Sequence, residues 1–115
     1  MHELSIAMSI VEMAEEECSA RGYTQIRAVH LRLGLLSGVV KEALLSSYDM
    51  VCKSTLLEGS QLLIEEVPVE ILCPKCEVPR RVPSIQWMCC PECGTATAQV
   101  VQGKELELVA LEISE

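Results

Sequence analysis

Four of the seven cysteines in this 115-residue chain fall into two matched pairs. CPKC at 73–76 and CPEC at 90–93 give the spacing Cys-x2-Cys-x13-Cys-x2-Cys. Each pair makes a tight turn whose thiolates converge on one side, and two such turns supply the four sulfurs of a tetrahedral zinc site. Pro74 and Pro91 stiffen both turns at the same place. Four thiolates leave no open coordination position, so the expected metal, Zn2+ on Cys73, Cys76, Cys90 and Cys93, is structural. The competing chemistry is thiol redox exchange with Cys76 or Cys90 as nucleophile. A redox Cys-x-x-Cys wants a strand-then-helix setting, and neither pair shows one. Cys89 abuts Cys90, and either could be the third ligand. The symmetry of CPKC with CPEC favours Cys90 and leaves Cys89 as a spare thiol. Cys18 and Cys52 lie on apolar helical stretches and read as small core residues.

The second chemical feature is the opening MHE. The Met1 amine, the backbone nitrogen of His2 and its Nδ1 can close one five-membered and one six-membered chelate ring. Ni(II) and Cu(II) favour such tetragonal nitrogen sites, and Zn2+ does not. The backbone nitrogen of Glu3 is the candidate fourth donor. A bulky second residue such as His protects the initiator Met from removal. A helix N-terminus disfavours a cation, and the Glu3 carboxylate partly offsets that. The resulting site has modest affinity, which suits a carrier that releases its ion. On these residues alone, a solvated end residue is the plainer reading of His2. His30 is the only other imidazole and reads as structural or solvated.

Composition narrows the classes. The net charge is −8 and the pI about 4.7, so the chain lacks the basic footprint of a nucleic-acid binder. The pair Arg80-Arg81 reads as a solvated loop. No secretory leader is visible in the acidic first twenty residues, and no apolar run reaches the length of a membrane span. A cytoplasmic location follows as the expectation, and in a reducing compartment cysteines serve metals more than disulfides. No Ser/His/Asp grouping, phosphate loop or carboxylate pair suggests an enzyme.

Periodicity supplies the elements that must carry these groups. Residues 3–21 predict a helix, with Leu4, Ala7, Met8, Val11, Ala14 and Cys18 on one stripe and Ile6, Ile10 and Met13 widening it. Gly22 is the expected cap. Residues 25–35 predict a strand, with Val29, Leu31, Leu33 and Leu35 facing in and Ala28, His30, Arg32 and Gly34 facing out. A second helix is expected over 39–53, with Val40, Leu44, Tyr48 and Val51 on one face. A strand over 61–67 is limited by Pro68. From 69 to 103 periodicity fades and Cys and Pro dominate, with Trp87 expected to cover the module. After Gly103 a strand apolar on both faces is expected inside the sheet, next to the first. The fold class is α+β: a small mixed sheet of about three strands with two helices packed on it, plus an inserted four-cysteine zinc module. The expected domains are 1–68 with 104–115, and 69–103.

MHELSIAMSIVEMAEEE, LRLGLLSGV, LLEGSQLLIEE, the two Cys pairs and GKELELVALEI occur in order, and together they resemble the HypA/HybF family of nickel metallochaperones in hydrogenase maturation. The resemblance implies that His2 is the essential nickel ligand, with Met1 and Glu3 contributing backbone nitrogen, and that Cys73, Cys76, Cys90 and Cys93 bind structural zinc. It implies transfer of Ni(II) to the precursor of the large subunit of a [NiFe] hydrogenase, work with the GTPase HypB, and in some organisms supply of urease through its accessory proteins. Two positions depart from the pattern of some relatives. Val39-Val40-Lys41 with Glu42 stands where an acidic residue can occur, and Gly94 follows the last Cys where a His can occur. The alternative function is a zinc-ribbon adaptor for protein interaction with no nickel role. Monomer and homodimer both remain open.

Overall fold

The computed structural model describes residues 3–113. The elements run α1 (Glu3–Arg21), β1 (Ile26–Gly34), α2 (Lys41–Cys52), β2 (Gln61–Val67), β3 (Glu70–Leu72), β4 (Pro79–Arg81), β5 (Val100–Gln102) and β6 (Leu106–Ile113). The expectations for Met1 and His2 concern residues outside the described range. No described helix is long and apolar enough to cross a membrane.

α1 has the predicted bounds but a narrower buried stripe. Ala7, Ile10, Val11, Ala14 and Cys18 are buried, whereas Leu4, Met8 and Met13 stand exposed. The helix ends in a Schellman turn. Gly22 adopts φ +76°, Tyr23 N–H donates to Cys18 O and Gly22 N–H donates to Ser19 O. α2 is shorter than the pattern predicts. Val40 is its N-cap in extended backbone and is exposed, while Leu44, Tyr48 and Cys52 form the buried face.

β1 is the middle strand of a three-stranded sheet ordered β2-β1-β6. Gly34 N–H donates to Glu105 O and Leu36 N–H to Gly103 O. The partners step in opposite directions, so the chain entering β6 runs antiparallel to β1. The bonds from Ile26 N–H to Leu56 O and from Leu35 N–H to Val67 O advance together, as in a parallel pair. That parallel pairing needs a crossover, and α2 supplies it. The sheet is therefore mixed. β6 pairs with β1 as expected but lies at the edge, not inside the sheet, which explains why Leu106 and Val109 are exposed. Central placement also buries Ala28, which the alternation had assigned to the wet face, and Leu35 beyond the strand end is exposed.

The chain divides into two compact units. One comprises the chain to Leu31, Val39–Glu65 and the chain from Glu107 onward; the other comprises Arg32–Gly38 and Glu66–Leu106. In the first, α1 packs on α2. Its core joins the buried helical residues to Ile26, Val29, Leu31, Leu57 and Leu62, with Leu108, Leu111 and Ile113 packed alongside. Tyr48 is buried there with its hydroxyl 2.6 Å from Ser60 Oγ, and Ser60 Oγ donates to Leu57 O. Burial pushes the Tyr48 hydroxyl pKa far above its usual range.

The second unit has a small core of Val69, Ile71 and Val82, flanked by Leu36, Met88 and Val100. Three short strands in the order β4-β3-β5 form its sheet. β3 pairs antiparallel with β4, Ile71 opposite Arg80 and Leu72 opposite Pro79. In the same unit Gly34 crosses Gly103 so closely that a Cβ on Gly34 would fall on the Gly103 carbonyl and 2.7 Å from the Glu105 nitrogen.

Candidate metal centre

The first Cys pair follows β3 directly, and its turn is closed by backbone bonds. Cys73 N–H donates to Val78 O at 3.3 Å and Glu77 N–H donates to Cys73 O at 2.8 Å. The second pair repeats this pattern. Cys90 N–H donates to Thr95 O at 2.9 Å and Gly94 N–H donates to Cys90 O at 2.8 Å. Both turns place the residue after the second Cys in left-handed backbone, Glu77 at φ +60° and Gly94 at φ +77°. Neither pair opens a helix, so the strand-then-helix setting of a redox Cys-x-x-Cys is missing.

The two turns bring Cys73, Cys76, Cys90 and Cys93 together, their Sγ atoms all within 4.8 Å of one another. Cys73 and Cys93 Sγ are 3.4 Å apart. A tetrahedral zinc with Zn–S bonds of about 2.3 Å sets its sulfurs about 3.8 Å apart, so the donor set fits such an ion. Cys73 and Cys90 are fully buried, Cys76 is half-buried and Cys93 is exposed. Cys89 is outside the group. It forms an isolated bridge with Ala96, and Cys90 occupies the first position of the second turn.

Hydrogen bonds set the electrostatics of the sulfurs. Cys76 N–H donates to Cys73 Sγ at 3.3 Å. The Thr95 hydroxyl, 3.1 Å from Cys93 Sγ, and then the Thr95 amide hold the Cys93 thiol down at about 6. The Cys93 and Glu92 amides lower Cys90 against the cost of burial. Cys76 moves the other way, pushed up to about 11 by its thiol neighbours Cys93 and Cys73. Four thiolates at this spacing cannot all ionise without a cation among them, whereas a divalent ion stabilises every one.

Three neighbours of functional residues were not visible as such in the sequence. Thr95 hydrogen-bonds a cluster sulfur. Arg80 is half-buried on β4, not in a solvated loop. Glu3 belongs to the third. Its carboxylate accepts the Val40 N–H at 3.0 Å, the part that the third helical residue plays in a capping box, supplied here from another helix. The only hint was an acidic residue at the start of α1. Trp87 is 46% exposed and does not close over the module. His30, half-exposed on β1, has Nε2 2.7 Å from Glu112 Oε2, and Arg27 donates to the other oxygen at 2.8 Å. Cys18 and Cys52 are core residues.

Residues 1–113 match the family model described as "HypA: Hydrogenase/urease nickel incorporation, metallochaperone, hypA". The chain is 49% identical to the hydrogenase maturation factor HypA of Roseiflexus sp. (strain RS-1), over 97% of this chain and 91% of the relative. It is 46% identical to the protein of that name in Chloroflexus aggregans, over 97% and 98%. In fold it is similar to the solution structure of the Ni metallochaperone HypA from Helicobacter pylori, with TM-score 0.66 and 24% identity over 98% and 97% of the two chains. With its two helices, its mixed three-stranded sheet and its four-cysteine cluster, the chain belongs to the HypA family of hydrogenase and urease nickel-incorporation metallochaperones.

Proposed function

We propose that this chain binds Ni(II) at its amino terminus and delivers it during maturation of a [NiFe] hydrogenase. The family match over residues 1–113, MHE included, is the observation that carries this reading. His2 supplies Nδ1 and backbone nitrogen, Met1 its terminal amine, and Glu3 a backbone nitrogen. One contact supports assigning Glu3 the backbone role: its carboxylate already accepts the Val40 amide. The ion is cargo, held in a flat nitrogen site and released by ligand exchange to the large-subunit precursor. HypB and urease accessory proteins are the further partners this reading implies, and the cytoplasm is the compartment where they would meet.

Cys73, Cys76, Cys90 and Cys93 hold Zn2+ in this reading. Four sulfur donors, two of them buried, leave no position for a substrate. The zinc supplies folding energy to a unit whose own small core centres on Val69, Ile71 and Val82.

Nickel titration tests the proposal on three proteins: native, His2→Ala, and native extended by one residue before Met1. The native protein binds one nickel with the visible absorption of a planar nitrogen site. Both variants lose that absorption and keep zinc and fold. Equal nickel binding by the extended protein would remove the terminal amine from the site, and unchanged binding by His2→Ala would leave the adaptor reading standing.

A further inference from the structure

Arg80 is the one half-buried basic residue in the cysteine cluster's own sheet. It pairs with Ile71, two residues before Cys73, in the β3–β4 ladder. Its Nε is buried and is the one buried side-chain nitrogen or oxygen among the described residues without a hydrogen-bond partner. A buried donor left unmet is costly unless a partner lies close by. Arg81, next in the chain, is exposed, so burial is specific to this position. The Cys76 thiol is the first of the acidic groups acting on this guanidinium, with Cys90 and Glu92 after it.

The chemistry explains why a cation belongs there. A divalent ion with four thiolates carries two net negative charges. In a partly dry site that excess favours sulfur attack on electrophiles and loss of a ligand. Guanidinium keeps its charge whatever its surroundings and offers several N–H donors in a fixed fork. A donor aimed at a ligating sulfur withdraws electron density from it, as second-shell partners of metal ligands do.

We propose that Arg80 is a positioning and charge-compensating residue for the four-thiolate metal site, acting on Cys76 to slow metal loss and sulfur alkylation. This rests on the reading that the cluster holds zinc. No bond is made or broken by Arg80 itself.

The test uses the zinc-loaded full chain and follows zinc transfer to a coloured chelator, with alkylation by iodoacetamide in parallel. Arg80→Met removes the charge and keeps the stem, Arg80→Lys keeps the charge, and Arg81→Met is the exposed control. Arg80→Met is expected to speed both reactions ~10-fold, the size typical of lost second-shell contacts. Arg80→Lys and Arg81→Met stay within about twofold of native. Should Arg80→Met not fold, Arg80→Gln takes its place under the same criteria. Equal rates in native and Arg80→Met overturn the proposal. So does an Arg80→Lys as fast as Arg80→Met, which would make shape, not charge, the cause. Native protein without stoichiometric zinc overturns the zinc reading itself, and this proposal with it.

Discussion

Gly34→Ala probes the tightest contact in the second unit. A Cβ there would fall on the Gly103 carbonyl and 2.7 Å from the Glu105 nitrogen, both backbone. Gly103 cannot retreat, because its own Cα approaches Val69 so closely that a Cβ there would lie 2.9 Å from Val69 Cα. The two strands must therefore separate. Separation stretches the bonds from Gly34 N–H to Glu105 O and from Leu36 N–H to Gly103 O, each 2.7 Å. Each lost bond costs about 1 kcal/mol, and forcing the extra atom into a packed site costs about 1–3 kcal/mol. The total is about 3–5 kcal/mol, against a stability of roughly 5–15 kcal/mol for a domain. At about 4 °C per kcal/mol for this length, the midpoint should fall by roughly 12–20 °C. Thermal denaturation of the zinc-loaded variant measures this. A midpoint within about 3 °C of native, a shift worth under 1 kcal/mol, would refute the close crossing.

Three further outcomes follow from individual residues. Glu77→Gly should relieve left-handed strain in the first turn, whereas Gly94→Ala, with open space around its Cβ position, should cost about 1 kcal/mol from backbone strain alone; zinc competition with a chelator reads both as opposite shifts in affinity. Tyr48→Phe should cost about 1 kcal/mol, and Ser60→Ala more, because it removes both the bond to the buried Tyr48 hydroxyl and the one to Leu57 O; urea titration ranks them. Arg27 and then His30 hold the Glu112 carboxyl below its ordinary pKa. Its contribution is therefore present above the unfolded value of about 4.3 and is lost as pH falls through the lower folded value. The gap in melting temperature between native and Glu112→Gln should be open at pH 7 and close in acid.

Much of the first unit was legible because its signals are long. Nineteen residues of helical spacing fixed α1, and Pro68 stopped β2 at Val67. β3, β4 and β5 were not legible. Each has three residues, too few for alternation to show, and they exist because the Cys turns bring them into register. The position of β6 also escaped, since apolar residues on two faces suit an edge strand touching a core as well as a central one. The four sulfurs were readable from spacing alone. Arg80 was not, because its meaning depends on which strand carries it and on what lies across the ladder. Thr95 was missed for a similar reason: a hydroxyl two residues past a cysteine acquires a role only once the turn folds back.

The thin core around Val69, Ile71 and Val82 has a practical consequence at the bench. If the nitrogens of MHE and the four sulfurs hold metal as proposed, a chelator strong enough to clear the former would also draw on the latter, and material stripped that way would begin to lose the shape of its second unit. Nickel added afterwards would distribute between thiolates and amines, and the stoichiometry would describe damage as much as cargo. Loading studies should therefore start from protein whose sulfurs have first been refilled.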